Sequence, residues 1–201
     1  YVVFKLENTA ASLVNYPFAF RLLIRYELDK NFLKVTYEVT NSESDDLYFS
    51  IGAHPAFKVP LTGGTNYDDY YLEFNRNDNA GRWPISKDGL IELVPEKFFN
   101  NSSRINLTHE LFQKDALVFK HLHSFKVSLK TDLNSHGLDF YFEEFPYLGL
   151  WAAKGGDFVC IEPWCGIADS VDHDQQLIRK EGIVQLPAND TWAKEWKVRF
   201  F

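Results

Sequence analysis

Apolar residues recur at every second position along most of this chain. Phe18, Phe20, Leu22, Ile24 and Tyr26 share one parity, while Arg21, Arg25 and Glu27 take the other. Leu33, Val35, Tyr37 and Val39 repeat the pattern against Lys34, Thr36, Glu38 and Thr40. A period of two sends alternate side chains to opposite faces, so both stretches predict half-buried strands. Leu28-Asp29-Lys30-Asn31 between them predicts a hairpin connection. After a polar turn at 41–46, Leu47, Phe49, Ile51 and Ala53 oppose Tyr48, Ser50, Gly52 and His54. This predicts a third antiparallel strand that keeps His54 on its polar face beside Gly52, with Pro55 stopping the ladder. Further strands are predicted at 70–74, 90–94, 116–119, 125–130, 138–142, 148–152 and 192–200. The run Phe158 to Ile161 predicts another, ended by Pro163. The only helical signal is one turn at 109–114, opened by Thr108 as N-cap. Many short strands with almost no helix predict an all-β antiparallel sandwich, read as one domain over residues 1–201.

Composition narrows the function. Of 201 residues 45% are hydrophobic, enough for a large core, and 16% are aromatic, which suits strands and stacking surfaces. A net charge of −7 argues against nucleic acid or an anionic membrane as partner. No apolar run is long enough to span a bilayer. Two cysteines, Cys160 and Cys165, form no disulfide framework; reduced thiols and a cytoplasmic setting are the expectation. Residues 60–64 are Gly-rich but lack the Gly-Lys-Ser/Thr ending of a nucleotide loop. His121 and His123 alternate on a predicted strand face, yet no third ligand is spaced to join them, so no metal site is read there. Asp169 and His173 read as parts of a plain structural or solvated loop.

The candidate chemistry lies at two strand ends. Glu162 follows an apolar run, where desolvation would raise its pKa toward that of a working acid or base. His54 ends another apolar stretch far upstream. Acid–base catalysis needs two such groups in one pocket. Trp164 is placed either to stack on a sugar face or to pack, and the local sequence leaves both open.

Three segments carry a resemblance: Phe49-Ser50-Ile51-Gly52-Ala53-His54-Pro55-Ala56-Phe57, then Asp115-Ala116-Leu117-Val118-Phe119, then Cys160-Ile161-Glu162-Pro163-Trp164-Cys165-Gly166-Ile167-Ala168-Asp169. In order and spacing they resemble the aldose 1-epimerase (galactose mutarotase) family, in its LacX-like branch. The resemblance implies a β-supersandwich that binds a hexose in an open cleft. It implies His54 as catalytic acid, Glu162 as catalytic base and Asp115 as a ligand of sugar hydroxyls. It implies no metal and no cofactor. Family members carry an N-terminal portion with a further active-site His and an Arg. The expectation is that this chain lacks that portion and its strands.

Two other functions stay open at this stage. A carbohydrate-binding module would keep the cleft without the chemistry. A mutarotase for phosphorylated hexoses would need an Arg or Lys cluster at the cleft.

Overall fold

A computed structural model describes residues 1–201 and contains fifteen strands, numbered along the chain. Eight form one antiparallel sheet. Its spatial order is β1 (Val2–Glu7), β2 (Phe20–Asp29), β3 (Phe32–Asn41), β15 (Thr191–Phe200), β11 (Leu138–Tyr141), β10 (Lys126–Thr131), β7 (Tyr70–Asp78) and β8 (Ser102–Asn106). A second sheet runs β5 (Ile51–Gly52), β13 (Phe158–Cys165), β12 (Tyr147–Trp151), β9 (Leu117–Lys120), with β6 (Ala56–Lys58) also pairing β13. β14 (Val184–Leu186) and β4 (Leu47–Phe49) form a separate ribbon. The two larger sheets share a cluster of buried residues that includes Val35, Leu72, Leu129, Phe140 and Val198 from one, and Phe119, Leu148, Leu150, Val159 and Ile161 from the other. This is the all-β antiparallel sandwich that the alternation predicts.

Where the pattern is local, structure follows it. β2 and β3 are joined by a two-residue turn whose first residue, Lys30, has φ 56°. Val35, Tyr37 and Val39 are buried at alternate positions of β3. The strand ends on Asn41, buried, whose amide Nδ2 donates to the carbonyls of Asp45, Leu186 and Pro187. Those bonds tie the 41–46 turn to β14 and so set the entry angle of the segment leading to His54.

Where pairing partners are distant, structure departs from the sequence reading. The stretch 47–54 is not a third strand beside β3; β15, from the far end of the chain, takes that place. The stretch keeps its parity, with Leu47, Phe49 and Ala53 buried and His54 exposed. It breaks at Ser50: β4 pairs β14, whereas β5 pairs β13. Pro55 interrupts the ladder rather than stopping it, since β6 resumes pairing with β13.

Pro163 does not end its strand either; β13 continues through it to Cys165. The Pro163 carbonyl accepts from the Ala53 N–H at 3.0 Å. The carbonyl and nitrogen of one strand residue point to the same side. The missing N–H therefore faces the gap between β5 and β6, where no ladder bond is required.

Residues 109–114 form isolated turns, not a helix. Residues 90–94 make only single bridges, through Ile91. His121 and His123 lie in a loop, with His121 at φ 56°, rather than on a strand face. The one α-helical turn, Ser12–Asn15, has no apolar periodicity to announce it; Thr9 and Ser12 fix it by exchanging side chain–backbone hydrogen bonds. β1 pairs β2 along one edge alone, and its Val2, Val3, Phe4 and Leu6 are exposed. No helix is long and apolar enough to cross a membrane.

Candidate active site

β13 organises the candidate site. Val159, Ile161 and Cys165 point into the shared core. The opposite parity places Cys160, Glu162 and Trp164 on the other face of the smaller sheet. Register then fixes their neighbours: Gly149 stands opposite Glu162, Trp151 opposite Cys160, and Gly52 opposite Trp164. His54, two residues beyond Gly52, shares that face.

His54 Nδ1 lies 3.4 Å from Glu162 Oε1. Two residues remote in sequence therefore meet, as the pairing of an acid with a base requires. Their settings differ sharply. The Glu162 side chain is 7% exposed and that of His54 60% exposed, so a carboxylate in a pit faces an imidazole open to solvent. Burial raises the Glu162 pKa; the charge of His54 and the Trp164 indole only partly offset it. The edge of the His54 ring meets Trp151 at 5.7 Å and 90°, which steadies the imidazole. Burial, with the neighbouring charge of Glu162, pushes the Cys160 thiol up to about 12, so it is no nucleophile at neutral pH.

Trp164 uses the space that two glycines leave. A Cβ on Gly52 would stand 2.4 Å from its Cδ1, and one on Gly149 would stand 2.3 Å from its Cη2. The indole thus spans the sheet across both strands that flank β13. The room beside Gly52 is filled by this ring rather than left open above His54. Trp164 is still only partly buried, and with Gly52, Val118, Ile85, Ile91 and Ile167 it lines a cavity of ≈ 390 Å³, to whose wall neither His54 nor Glu162 contributes. A second cavity, ≈ 350 Å³, lies on the other side of Ser50 and Ile51 among Leu6, Phe20, Leu22 and Leu47; it contains no acid–base group. Gly149→Ala should displace the indole and cost about 1–3 kcal/mol, because a rigid ring cannot yield to a methyl group. Urea unfolding of that variant, followed by tryptophan fluorescence, measures the loss.

Asp115 stands apart. It is exposed, just before β9, and its Oδ1 accepts from the N–H of Ala116 at 2.6 Å. No hydrogen bond or ion pair joins it to His54, Glu162 or Trp164. Its φ of 143° is one that side-chain-bearing residues rarely adopt. Asp169 is not merely solvated: its carboxylate accepts from Lys180 Nζ at 2.7 Å. His173 is largely buried, and its Nδ1 accepts from the N–H of Gln175 at 2.9 Å. Lys120, buried on β9, donates to Glu181 at 2.7 Å and lies 3.7 Å over the Trp83 ring. Sequence reading missed Cys160, Trp151 and Gly149 as members of this face. A glycine inside an apolar strand was the available signal for close approach by another group.

Comparison with known proteins gives a consistent picture. A family model described as aldose 1-epimerase matches residues 1–185. The chromosomal Protein LacX of Lactococcus lactis subsp. lactis is 31% identical over 201 residues, covering 98% of this chain and 67% of the relative. Among solved structures, a galactose mutarotase related enzyme from Lactobacillus acidophilus superposes with a TM-score of 0.89 at 29% identity, over 99% of this chain and 67% of that one. A galactose mutarotase-like protein from Lactobacillus casei gives a TM-score of 0.89 at 28% identity, over 99% and 69% respectively. The chain spans about two thirds of the length of each of these relatives.

Proposed function

The chain belongs to the aldose 1-epimerase family, and from that premise we propose that it interconverts the α and β anomers of a free hexose. The observation that carries this reading is the 3.4 Å contact between a buried carboxylate and an exposed imidazole on an open face. Such a contact leaves no room for a sugar between the two groups. It does not need any, because the ring oxygen and O1 of a pyranose share one carbon and can both be met from the solvent side.

Glu162, ionised, takes the proton from O1. As that oxygen becomes the aldehyde carbonyl, the bond from C1 to the ring oxygen O5 breaks, and His54 in its protonated form gives O5 a proton. Rotation about C1–C2 turns the carbonyl over. Closure reverses both transfers: His54 removes the O5 proton, O5 attacks C1, and Glu162 returns a proton to O1. Each group contributes on the order of 10²–10⁴-fold. A pKa raised by burial strengthens Glu162 as a base, since its charge is poorly solvated.

A neutral sugar suits the surroundings better than a phosphorylated one. The lysines on this face are already matched, Lys120 by Glu181 and Lys180 by Asp169. A phosphate would have to displace one of those carboxylates. Trp164, partly exposed beside the pair, is assigned to the apolar face of the sugar ring.

Asp115 is assigned to a sugar hydroxyl, and its backbone supports a functional role. A residue held at φ 143° costs about 1–3 kcal/mol relative to a relaxed conformation. Asp115→Gly relieves that strain, so the variant should be at least as stable as the parent while its KM rises. An unchanged KM would remove Asp115 from the site.

The direct test is polarimetry of freshly dissolved α-D-galactose and α-D-glucose with the protein in catalytic amounts. Faster approach to equilibrium rotation is the expected result. Sugar binding by calorimetry with no change in that rate would instead make the chain a carbohydrate-binding module.

A further inference from the structure

The face that carries the acid–base pair carries a third group with different chemistry. Cys160 Sγ, His54 nitrogen and Glu162 oxygen all lie within 4.8 Å of one another. Cys160 and Glu162 are two residues apart on one strand, and both are buried. His54 reaches them from the neighbouring segment. We infer that His54, Cys160 and Glu162 form a three-ligand site for a zinc-class divalent cation.

Geometry is the first argument. A tetrahedral ion with bonds of about 2.0–2.1 Å to nitrogen and oxygen needs those two ligand atoms about 3.3 Å apart. His54 Nδ1 and Glu162 Oε1 are 3.4 Å apart. Sulfur, bonded at about 2.3 Å, needs about 3.6 Å to either of the others. All separations lie within 4.8 Å; a small shift of the exposed His54 adjusts its own two, and side-chain rotation of Cys160 and Glu162 adjusts the third. A fourth, non-protein ligand such as water would complete the tetrahedron.

Ligand chemistry selects the ion. A thiolate beside an imidazole and a carboxylate suits zinc or cobalt(II), and the sulfur disfavours calcium and magnesium. Electrostatics agrees. Cys160 and Glu162 are buried side by side, and burial disfavours the charged form of each. A divalent ion supplies the missing positive charge. On binding, the metal–sulfur bond replaces the S–H bond, and the thiol proton leaves to solvent. The ion would then occupy the lone pairs that proton transfer needs, so the site opposes the proposed chemistry instead of serving it.

The test reads the metal, not the sugar, so it stands independently of the mutarotase reading. Cobalt(II) is titrated into the chelator-treated protein and absorbance is followed from the near ultraviolet to the visible. Expected are a near-ultraviolet band from thiolate to cobalt and intense visible bands of a four-coordinate ion. Cys160→Ser should abolish the near-ultraviolet band, while Cys165→Ser, altering the thiol on the core side, should keep it. His54→Ala changes an exposed residue and leaves folding intact; it should weaken cobalt binding at least about tenfold. Absence of the near-ultraviolet band at saturating cobalt, its survival in Cys160→Ser, or unchanged affinity in His54→Ala overturns the site.

Discussion

Replacing Glu162 by Gln is expected to lower kcat for anomer interconversion by about 10²–10⁴-fold and, at neutral pH, to make the fold more stable. The two effects have one cause. Gln keeps the shape of the side chain but cannot take the O1 proton. It also carries no charge into the pit where Glu162 is 7% exposed. Burial raises the folded-state pKa of Glu162 above the ordinary value of 4.5, so the native protein holds this proton more tightly than the unfolded chain does. The stability that follows is complete below the unfolded pKa and disappears as pH rises through the folded one. At neutral pH the parent therefore bears an ionised, poorly solvated carboxylate that Glu162→Gln lacks. The stability gap between the two should narrow as pH falls and vanish below the unfolded value of 4.5. Urea titrations at several pH values, run beside polarimetry, measure both halves. A variant that keeps its rate, or a gap that is flat with pH, would detach Glu162 from the chemistry or from the buried setting respectively.

His54→Asn should reduce kcat by a comparable factor, about 10²–10⁴-fold, with a small loss of stability at neutral pH, where the buried carboxylate loses a partner. The ring is largely exposed, and substitutions at such positions stay within about 0.5 kcal/mol. A second consequence separates loss of the acid from a general disturbance. The charge of His54 lowers the pKa of Glu162, so its removal leaves only the Trp164 indole to oppose burial. Whatever activity remains should fall away on the acid side at higher pH than in the parent. The double variant with Glu162→Gln should lose little more than either single one, because two groups that act in one concerted transfer do not contribute additively. Polarimetric rates across pH decide this. A full multiplicative loss in the double variant would show that the two residues work independently.

Legibility in the sequence followed locality. The parity of residues 47–54 identified the buried set Leu47, Phe49 and Ala53 and left His54 outside, since alternation needs only the chain itself. It could not show that Ser50 divides the stretch between two partners, β14 and β13, because pairing is decided more than a hundred residues downstream. Pro163 misled for a related reason. Its missing N–H excludes a ladder bond on one side only, and whether that side needs one depends on the break at residues 53–55. Strand-end positions mark His54 and Glu162 as candidates and the resemblance gives them complementary roles, but neither residue's own neighbourhood contains their contact. Cys160 reads from the sequence only as one of two reduced thiols, because a cysteine signals no more until the strand beside it is known. Trp164 read as either packing or stacking, and the two glycines beneath it show that one ring face is packed while the residue keeps some exposure.

The residue after Glu162 has a last effect. A residue that precedes proline is confined to extended backbone conformations, in the unfolded chain as well as the folded one. Glu162 sits in an extended strand that it would occupy in any case. Much of the backbone entropy that other strand residues surrender during folding is thus already absent before this strand forms. The direction in which the carboxylate leaves the sheet is then largely set by covalent geometry, and the orientation that the proposed chemistry asks of it does not have to be drawn from the binding energy of a ligand.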